Sequence, residues 1–211
     1  MATERTQELL IDAAESLYAE RPFGEVTVAE IIDAAGHRNR SAVQYHFGTQ
    51  RDFLLALLRR HEVTLTAKRA ELLAELDTAG RYDAIERLVH VLVLPLSEFV
   101  NGSCGERAYL RVASQLSRDL SVPREEFSAL IGEPIMMSMF SAYIGDADEP
   151  GFAQRVHRSF QTTFNVLNLM SDRVARSASP GHRFALEFDE FVEDSLAVTQ
   201  AYLTAGVTLR R

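Results

Sequence analysis

Apolar residues recur three and four positions apart along nearly the whole chain, which is the spacing of helices that each bury one face. In the first segment, Leu9, Leu10, Ala13, Ala14 and Leu17 follow this spacing. No run of alternating apolar and polar residues is long enough to predict a β-strand. The sequence therefore predicts an all-α fold.

Turn residues divide this pattern into about nine helices. Gly36, Gly48 and Gly80 each follow the last apolar position of a segment, where a helix commonly ends. We expect a kink at Pro95 and an interruption near Gly132 and Pro134. The predicted helices cover approximately residues 3–20, 28–35, 40–47, 50–76, 81–100, 105–119, 123–144, 150–177 and 183–206.

Composition excludes several classes of protein. The most apolar run, Leu88 to Leu96, is far shorter than the ~20 residues of a membrane span, and it includes His90. The N-terminus is polar and acidic, unlike a signal or transit peptide. Cys104 is the single cysteine, so neither an internal disulfide nor a cysteine-based zinc cluster is possible. We expect a soluble cytoplasmic protein with no membrane contact.

Catalytic signatures are also missing. The six histidines include no pair at helical spacing, which argues against a metal centre. The glycines around Cys104 do not have the spacing of a nucleophile elbow, and no glycine-rich loop could hold a phosphate. The sequence therefore predicts a protein that is not an enzyme and that has neither a metal nor a cofactor.

The charge is unevenly distributed. The chain has 22 Lys and Arg against 30 Asp and Glu, a net charge of −8. Residues 36–60 nevertheless contain five arginines and one acid, Asp52, a local net charge of +4. A basic segment on an acidic body favours selective contact with phosphates, although a solvated loop can also have this composition.

The basic segment coincides with two short predicted helices. Thr27 and Glu30 have the spacing of a capping box at the start of one helix, and Gly36 can end it. Asn39 or Ser41 can cap the next helix. Two short helices joined by a tight turn that contains glycine are typical of a helix-turn-helix.

The second of these helices has one face suited to DNA. Val43 and Phe47 lie one turn apart and are expected to be buried, which would leave Gln44 and Tyr45 exposed with Arg40 and Ser41. Arginine can bind guanine, glutamine can bind adenine, and Tyr and Ser can reach phosphate oxygens. This pattern predicts contact with double-stranded DNA.

The segments Ala34-Ala35-Gly36, Ser41 to Gly48 and Phe53-Leu54 resemble the N-terminal signature of TetR-family transcriptional regulators. The resemblance implies a three-helix DNA-binding domain, here residues 1–48, and a larger helical ligand-binding and dimerisation domain, residues 49–211. It also implies that Thr27 and Tyr45 contact the DNA backbone and that His46 supports the helix or binds phosphate. The candidate DNA-binding residues are Thr27, Arg38, Asn39, Arg40, Ser41, Gln44, Tyr45, His46 and Arg51.

Two features depart from the family pattern. Between Gly36 and Phe47 there is one residue more than the usual spacing, so the roles of Arg38 to Arg40 are shifted by up to one position. Gln50 occupies the position where the family usually has a lysine that binds phosphate, and the neighbouring Arg51 is a possible substitute.

The C-terminal half has apolar stripes that fit either a ligand pocket or core and dimer packing. His90 fits a ligand contact or a hydrogen-bonded core histidine. The candidate pocket residues are His90, Tyr109, Met137, Phe140, Phe160 and Phe164. If the last two helices pair across a two-fold axis as in the family, the candidate dimer residues are Phe160, Phe164, Leu167, Phe191, Leu196 and Tyr202.

These observations predict a homodimeric repressor that binds a pseudo-palindromic operator and is released by a small apolar or amphipathic effector. A helical carrier or adaptor that has lost DNA binding is the alternative, favoured by the altered turn and by Gln50. A helical enzyme would need a polar constellation in the C-terminal half, and none is visible.

Overall fold

Nine α-helices make up most of the chain in a computed structural model that describes residues 2–118, 134–177 and 186–206. No strand occurs within these ranges, so the predicted all-α class is confirmed. The helices are α1 (Ala2–Glu20), α2 (Val28–Ala34), α3 (Ala42–Phe47), α4 (Gln50–Ala79), α5 (Ala84–Val100), α6 (Cys104–Arg118), α7 (Pro134–Ile144), α8 (Phe152–Ser177) and α9 (Phe188–Thr204), with a 3-10 turn at Phe23–Glu25.

The predicted boundaries agree with these helices to within a few residues. The third helix begins at Ala42 and not at Arg40, because Arg40 and Ser41 form a turn, and the last helix begins at Phe188, five residues later than predicted. Helix α5 continues through Pro95 as one element. Parts of the predicted helices, namely residues 119, 123–133 and 183–185, lie outside the described residues.

Helix α5 lies at the centre of the larger domain, in contact with α4, α6, α7, α8 and α9. Eleven of its 17 residues are buried, as expected for a helix that packs against several others, although Glu98 is exposed. Leu88, Val91, Leu92 and Phe99 are at most 1% exposed. The predicted core of the C-terminal half is thus built around this one helix.

The N-terminal helices meet the larger domain where α1 lies along α6. A buried junction forms here from Glu15 of α1, His61 and Glu62 of α4, and Gly105 and Tyr109 of α6. Glu15 Oε1 lies 2.8 Å from His61 Nε2, and the Tyr109 hydroxyl donates a hydrogen bond of 2.6 Å to Glu62 Oε1. A Cβ atom on Gly105 would lie 2.7 Å from both Glu15 Oε2 and His61 Cε1, so a larger residue does not fit without displacing them.

Candidate nucleic-acid interface

The turn after α2 is closed by hydrogen bonds that require a left-handed glycine. Gly36 has φ of 73°, a conformation that side chains disfavour. Its N–H bonds Asp33 O at 3.0 Å, and His37 N–H bonds Ile32 O at 3.0 Å. This is the Schellman pattern, and it sets the direction in which the chain leaves α2.

The approach to α3 is organised by Asn39. Its side-chain oxygen accepts a 3.0 Å hydrogen bond from the Ser41 backbone N–H, and its carbonyl accepts one of 3.0 Å from Ala42 N–H. The Ser41 side chain makes no capping hydrogen bond. Of the two predicted caps, Asn39 therefore makes the local contact, and its oxygen is engaged within the turn.

Helix α3 has two distinct faces. Ala42 and Val43 are each 3% exposed and pack into the core, whereas Gln44 is exposed and Tyr45 is 79% exposed. Phe47 packs its ring 4.9 Å from that of Phe53 at the start of α4. The apolar face therefore anchors the helix, and the polar face points to solvent as predicted.

Arg38 and Arg40, which precede α3, are both exposed. Arg40 Nη1 forms a 3.2 Å ion pair with Asp33 Oδ2 of α2. Both side chains remain largely in solvent, at 67% and 59% exposure. Asp33 holds Arg40 beside the turn, and this role was not predicted because nothing in the spacing indicates that the turn brings the two residues together.

Thr27 starts α2 with the predicted capping box. Its hydroxyl accepts from Glu30 N–H at 3.2 Å, and Glu30 Oε2 accepts from Thr27 N–H at 2.8 Å. Arg21 Nη1 also bonds Glu30 Oε1 at 2.9 Å. The hydrogen bonds from Thr27 and then Arg21 lower the pKa of Glu30 to about 2. Thr27 is exposed at this helix start, so its hydroxyl both caps α2 and faces solvent.

His46 is half-buried and lies between the exposed face and the core. Its ring meets that of Tyr45 edge-on, with 5.0 Å between centroids. Its carbonyl oxygen accepts a 2.9 Å hydrogen bond from Gln7 Nε2 of α1. This bond joins α3 to α1 through the main chain of His46, and the role of its side chain stays a prediction.

The first turn of α4 follows α3 directly. Gly48, with φ of 86°, ends α3, and Thr49 caps α4 by accepting a 3.0 Å hydrogen bond from Asp52 N–H. Gln50 is exposed, whereas Arg51 is half-buried and already takes part in a contact within the protein. Arg51 is therefore less available to DNA than the residues around Arg40.

The candidate pocket residues do not share one environment. His90 is half-buried, and its Nδ1 lies 2.7 Å from the Glu86 carbonyl oxygen on its own helix. Tyr109 belongs to the buried junction, where burial and then the Glu62 carboxylate raise its pKa well above the ordinary value. Met137 is 54% exposed, and Phe140, Phe160 and Phe164 are half-buried.

The candidate dimer residues divide in a similar way. Leu167 is 2% exposed inside the protomer, so it is core and is not available to a partner. Phe164, Phe191 and Leu196 are half-buried and pack against the same core, and Phe160 and Tyr202 are also half-buried. The larger apolar side chains exposed on α8 and α9 are Leu169 at 37% and Val198 at 53%.

No group of three or more His, Cys, Asp or Glu side chains is arranged to hold a metal ion within residues 2–118, 134–177 and 186–206. In the same ranges, no helix has both the length and the apolar character required to cross a membrane.

Comparison with solved structures returns a TetR-family regulator from Streptomyces coelicolor A3, at 19% identity and TM-score 0.47, covering 95% of this chain and 96% of that one. A gamma-butyrolactone receptor, described as ArpA-like, has 20% identity and TM-score 0.41 and covers 95% and 98%. A second such receptor has 21% identity and TM-score 0.37 and covers 94% and 98%. No curated protein matches the chain.

Residues 10–57 match the family model described as "Bacterial regulatory proteins, tetR family". The matched range begins within α1, includes both helices of the helix-turn-helix and ends within α4. It therefore contains the capping box, the Gly36 turn and the exposed face of α3. In residues 10–57, the chain is therefore similar to the tetR family of bacterial regulatory proteins.

Proposed function

We propose that this regulator binds a pseudo-palindromic operator in duplex DNA as a homodimer, and that it represses transcription until a small apolar or amphipathic effector releases it. One helix-turn-helix spans too few base pairs for strong specificity, so two copies would read two half-sites. The site of action would be the cytoplasm, where bacterial DNA is located.

The exposed face of α3 is the observation that supports DNA binding. Tyr45 is 79% exposed although it adjoins a buried segment, and Gln44 lies beside it. Arg38 and Arg40 add positive charge at the same end of the domain. An exposed aromatic and an amide between arginines form a surface that can contact both phosphates and base edges.

We place the division between the two proposed domains after Gly48, giving a DNA-binding domain of residues 1–48 and an effector and dimerisation domain of residues 49–211. The left-handed Gly48 separates α3 from α4 at this point. The edge-on contact between the rings of Phe47 and Phe53 crosses the boundary and would couple the recognition helix to α4. Movement of α4 on effector binding would then alter the spacing of the two α3 helices.

The proposal is tested by measuring DNA binding of Arg40→Ala and Tyr45→Ala, using a fragment from upstream of the protein's own gene. We expect each variant to bind at least tenfold more weakly, with unchanged helicity and dimerisation. Arg176→Ala is the matched control, because Arg176 also forms an exposed ion pair with an aspartate but lies on α8. Its DNA affinity should equal that of the wild type.

Salt dependence supplies a second measurement. Each phosphate contact that is lost lowers the slope of log affinity against log salt by roughly 0.9. We therefore expect a steep slope for the wild type and a shallower one for Arg40→Ala if Arg40 contacts phosphate. Binding that does not depend on salt, or normal binding by both Arg40→Ala and Tyr45→Ala, contradicts the proposal.

The carrier or adaptor remains the second candidate, and the start of α4 is the observation that favours it. Gln50 is uncharged and Arg51 is already engaged, so this turn offers DNA no free cation. A carrier would keep effector binding and dimerisation without any affinity for DNA. Gln50→Lys separates the two cases, because it should strengthen DNA binding only in a protein that already binds DNA.

A further inference from the structure

The C-terminal ends of three helices line one cleft of about 370 Å³. The last residues of α1, α5 and α8 contribute to its wall, together with Arg107 of α6. This volume lies near the lower end of the range for small-molecule sites, so the cleft fits a ligand about as large as an amino acid. None of the candidate pocket residues lines it, so the cleft is distinct from the predicted effector pocket.

The apolar part of the lining is fixed by packing within the protein. It consists of Ala19, Val100 and Val174, and each of these residues is at most 5% exposed. Val100 and Val174 also belong to the hydrophobic core. The apolar surface of the cleft is therefore formed before any ligand arrives, as is usual for small-molecule sites.

One acid and one base also line the cleft, and they do not pair. Glu20, the last residue of α1, is exposed, and its side chain forms neither a hydrogen bond nor an ion pair with a described residue. Arg107 is half-buried, and its Nη1 donates a 2.6 Å hydrogen bond to the Gly102 carbonyl. Its Nε and Nη2 bond no described residue, so they remain available to a carboxylate.

The helix ends add negative potential to the cleft. The C-terminal end of an α-helix carries roughly half a negative charge, and α1, α5 and α8 all end here. Among the seven residues that line the cleft, Arg107 is the one with a positive charge. The lining therefore favours a cationic group near Glu20 as well as an anionic group near Arg107.

We propose that the cleft binds a small zwitterion with an apolar body, such as a free apolar amino acid. Its ammonium group faces Glu20 and the helix ends, its carboxylate is bound by Arg107, and its apolar body packs on the three apolar lining residues. Because α1 forms one wall and α5, α6 and α8 form the others, the ligand contacts both proposed domains. This site depends neither on the proposed DNA binding nor on the proposed effector.

NMR titration of the isotope-labelled, DNA-free protein tests the site. Two zwitterions are compared: L-leucine, whose charges are adjacent, and 6-aminohexanoate, whose charges lie at opposite ends of the molecule. At least one of them should shift the backbone amide signals of residues 19–20, 100–101 and 174–177 in a saturable way below about 10 mM. The zwitterion that binds more tightly shows how far apart the two charged groups of the ligand lie.

Analogues that carry a single charge show whether both charged groups are needed. For leucine they are 3-methylbutan-1-amine, which lacks the carboxylate, and 4-methylpentanoate, which lacks the ammonium group. For 6-aminohexanoate they are pentan-1-amine and hexanoate. Each analogue should bind at least threefold more weakly than its zwitterion, because it loses one of the two ion pairs.

Substitutions assign each charged group of the ligand to its partner. Arg107→Met should weaken binding of the zwitterion about tenfold and leave binding of the amine analogue unchanged. Glu20→Gln should weaken it about threefold, because Glu20 is more exposed, and leave binding of the acid analogue unchanged. The matched controls are Arg87→Met, a half-buried arginine of α5, and Glu75→Gln, an exposed acid near the end of α4. Neither residue lines the cleft, so both controls should bind like the wild type.

The spectrum of each variant also shows whether it is folded. If Arg107→Met does not fold, Arg107→Lys takes its place, and this variant should bind the zwitterion severalfold more weakly than the wild type because it lacks the planar guanidinium group. Three results overturn the proposal: neither zwitterion shifts the amide signals of the cleft, an analogue with one charge binds as tightly as its zwitterion, or the variants at Arg107 and Glu20 bind like the wild type.

Discussion

The polar groups of the helix-turn-helix and of the buried junction differ in how far apart in sequence their partners lie and in how exposed they are. In the helix-turn-helix, Thr27 bonds Glu30 and Asn39 bonds Ser41, so the partners are two or three residues apart and exposed. In the buried junction, Glu15 meets His61 across 46 residues and Glu62 meets Tyr109 across 47.

This difference separates two kinds of stability. Local caps fix the shape of a short segment and leave its surface in water, where it is free to bind another molecule. Distant buried contacts join whole helices, and each of them requires burial of a polar group that must stay paired. Substitutions should therefore lower the free energy of unfolding most in the buried junction and least on the surface near α3.

The largest effect is expected at Gly105. Gly105→Ala places a methyl group 2.7 Å from Glu15 Oε2 and His61 Cε1, so it should lower the free energy of unfolding by about 3 kcal/mol, which urea denaturation measures. Gly24→Ala is the control in the N-terminal region, because nothing lies within 4 Å of its Cβ position. It should leave stability unchanged or raise it by up to about 1 kcal/mol. An equal loss of stability in Gly105→Ala and Gly24→Ala would contradict the difference between the two regions.

Tyr109→Phe should have the next largest effect, a loss of about 1–2 kcal/mol in urea denaturation, because the Glu62 carboxylate loses a buried donor. The raised pKa of Tyr109 stabilises the fold fully below the unfolded pKa of ~10, and this contribution is lost as the pH rises above that value. The variant should therefore lose less stability than the wild type above pH ~10. Tyr45→Phe, at an exposed site, should change neither the free energy of unfolding nor its decrease above pH ~10.

The same contrast explains what could be predicted from the sequence. Thr27, Glu30 and Gly36 form a cap and a turn that depend only on near neighbours, and each was predicted correctly. The order and approximate ends of the helices follow from the same local rules. The exposed face of α3 follows from helical periodicity, since Val43 is buried and Tyr45 is not.

Contacts between helices could not be read from spacing. Leu167 and Phe164 lie on one apolar stripe, yet the structure buries the first and leaves the second partly exposed. A stripe of apolar residues indicates that one face of a helix is buried, but it does not indicate which element packs against that face. For the same reason, the 3.1 Å ion pair between Arg155 and Glu149 has no signal in the sequence.

A loss of about 1 kcal/mol is expected for Thr27→Ala, because the capping box at α2 is lost, and Thr27→Ser should restore most of it. The low pKa of Glu30 stabilises the fold above its ordinary value of 4.5, and this contribution is lost as the pH falls towards about 2. Glu30→Gln should therefore be destabilised at pH 7 and lack this acid dependence. Urea denaturation between pH 7 and pH 2 measures the stability and its dependence on pH. If Glu30→Gln lost stability in acid in the same way as the wild type, Glu30 would not be the source of this dependence.

The smallest effect on stability is expected for Asp33→Asn. An ion pair as exposed as Arg40 and Asp33 contributes at most about 0.5 kcal/mol, so urea denaturation should barely change. DNA binding should respond instead, because the carboxylate both repels phosphate and orients Arg40. We expect severalfold tighter binding to unrelated DNA and poorer discrimination of the operator. Asp172→Asn breaks a similar exposed ion pair on α8 and should change neither stability nor DNA binding. If both variants bound DNA more tightly, the net charge of the protein, and not the position of Asp33, would explain the effect.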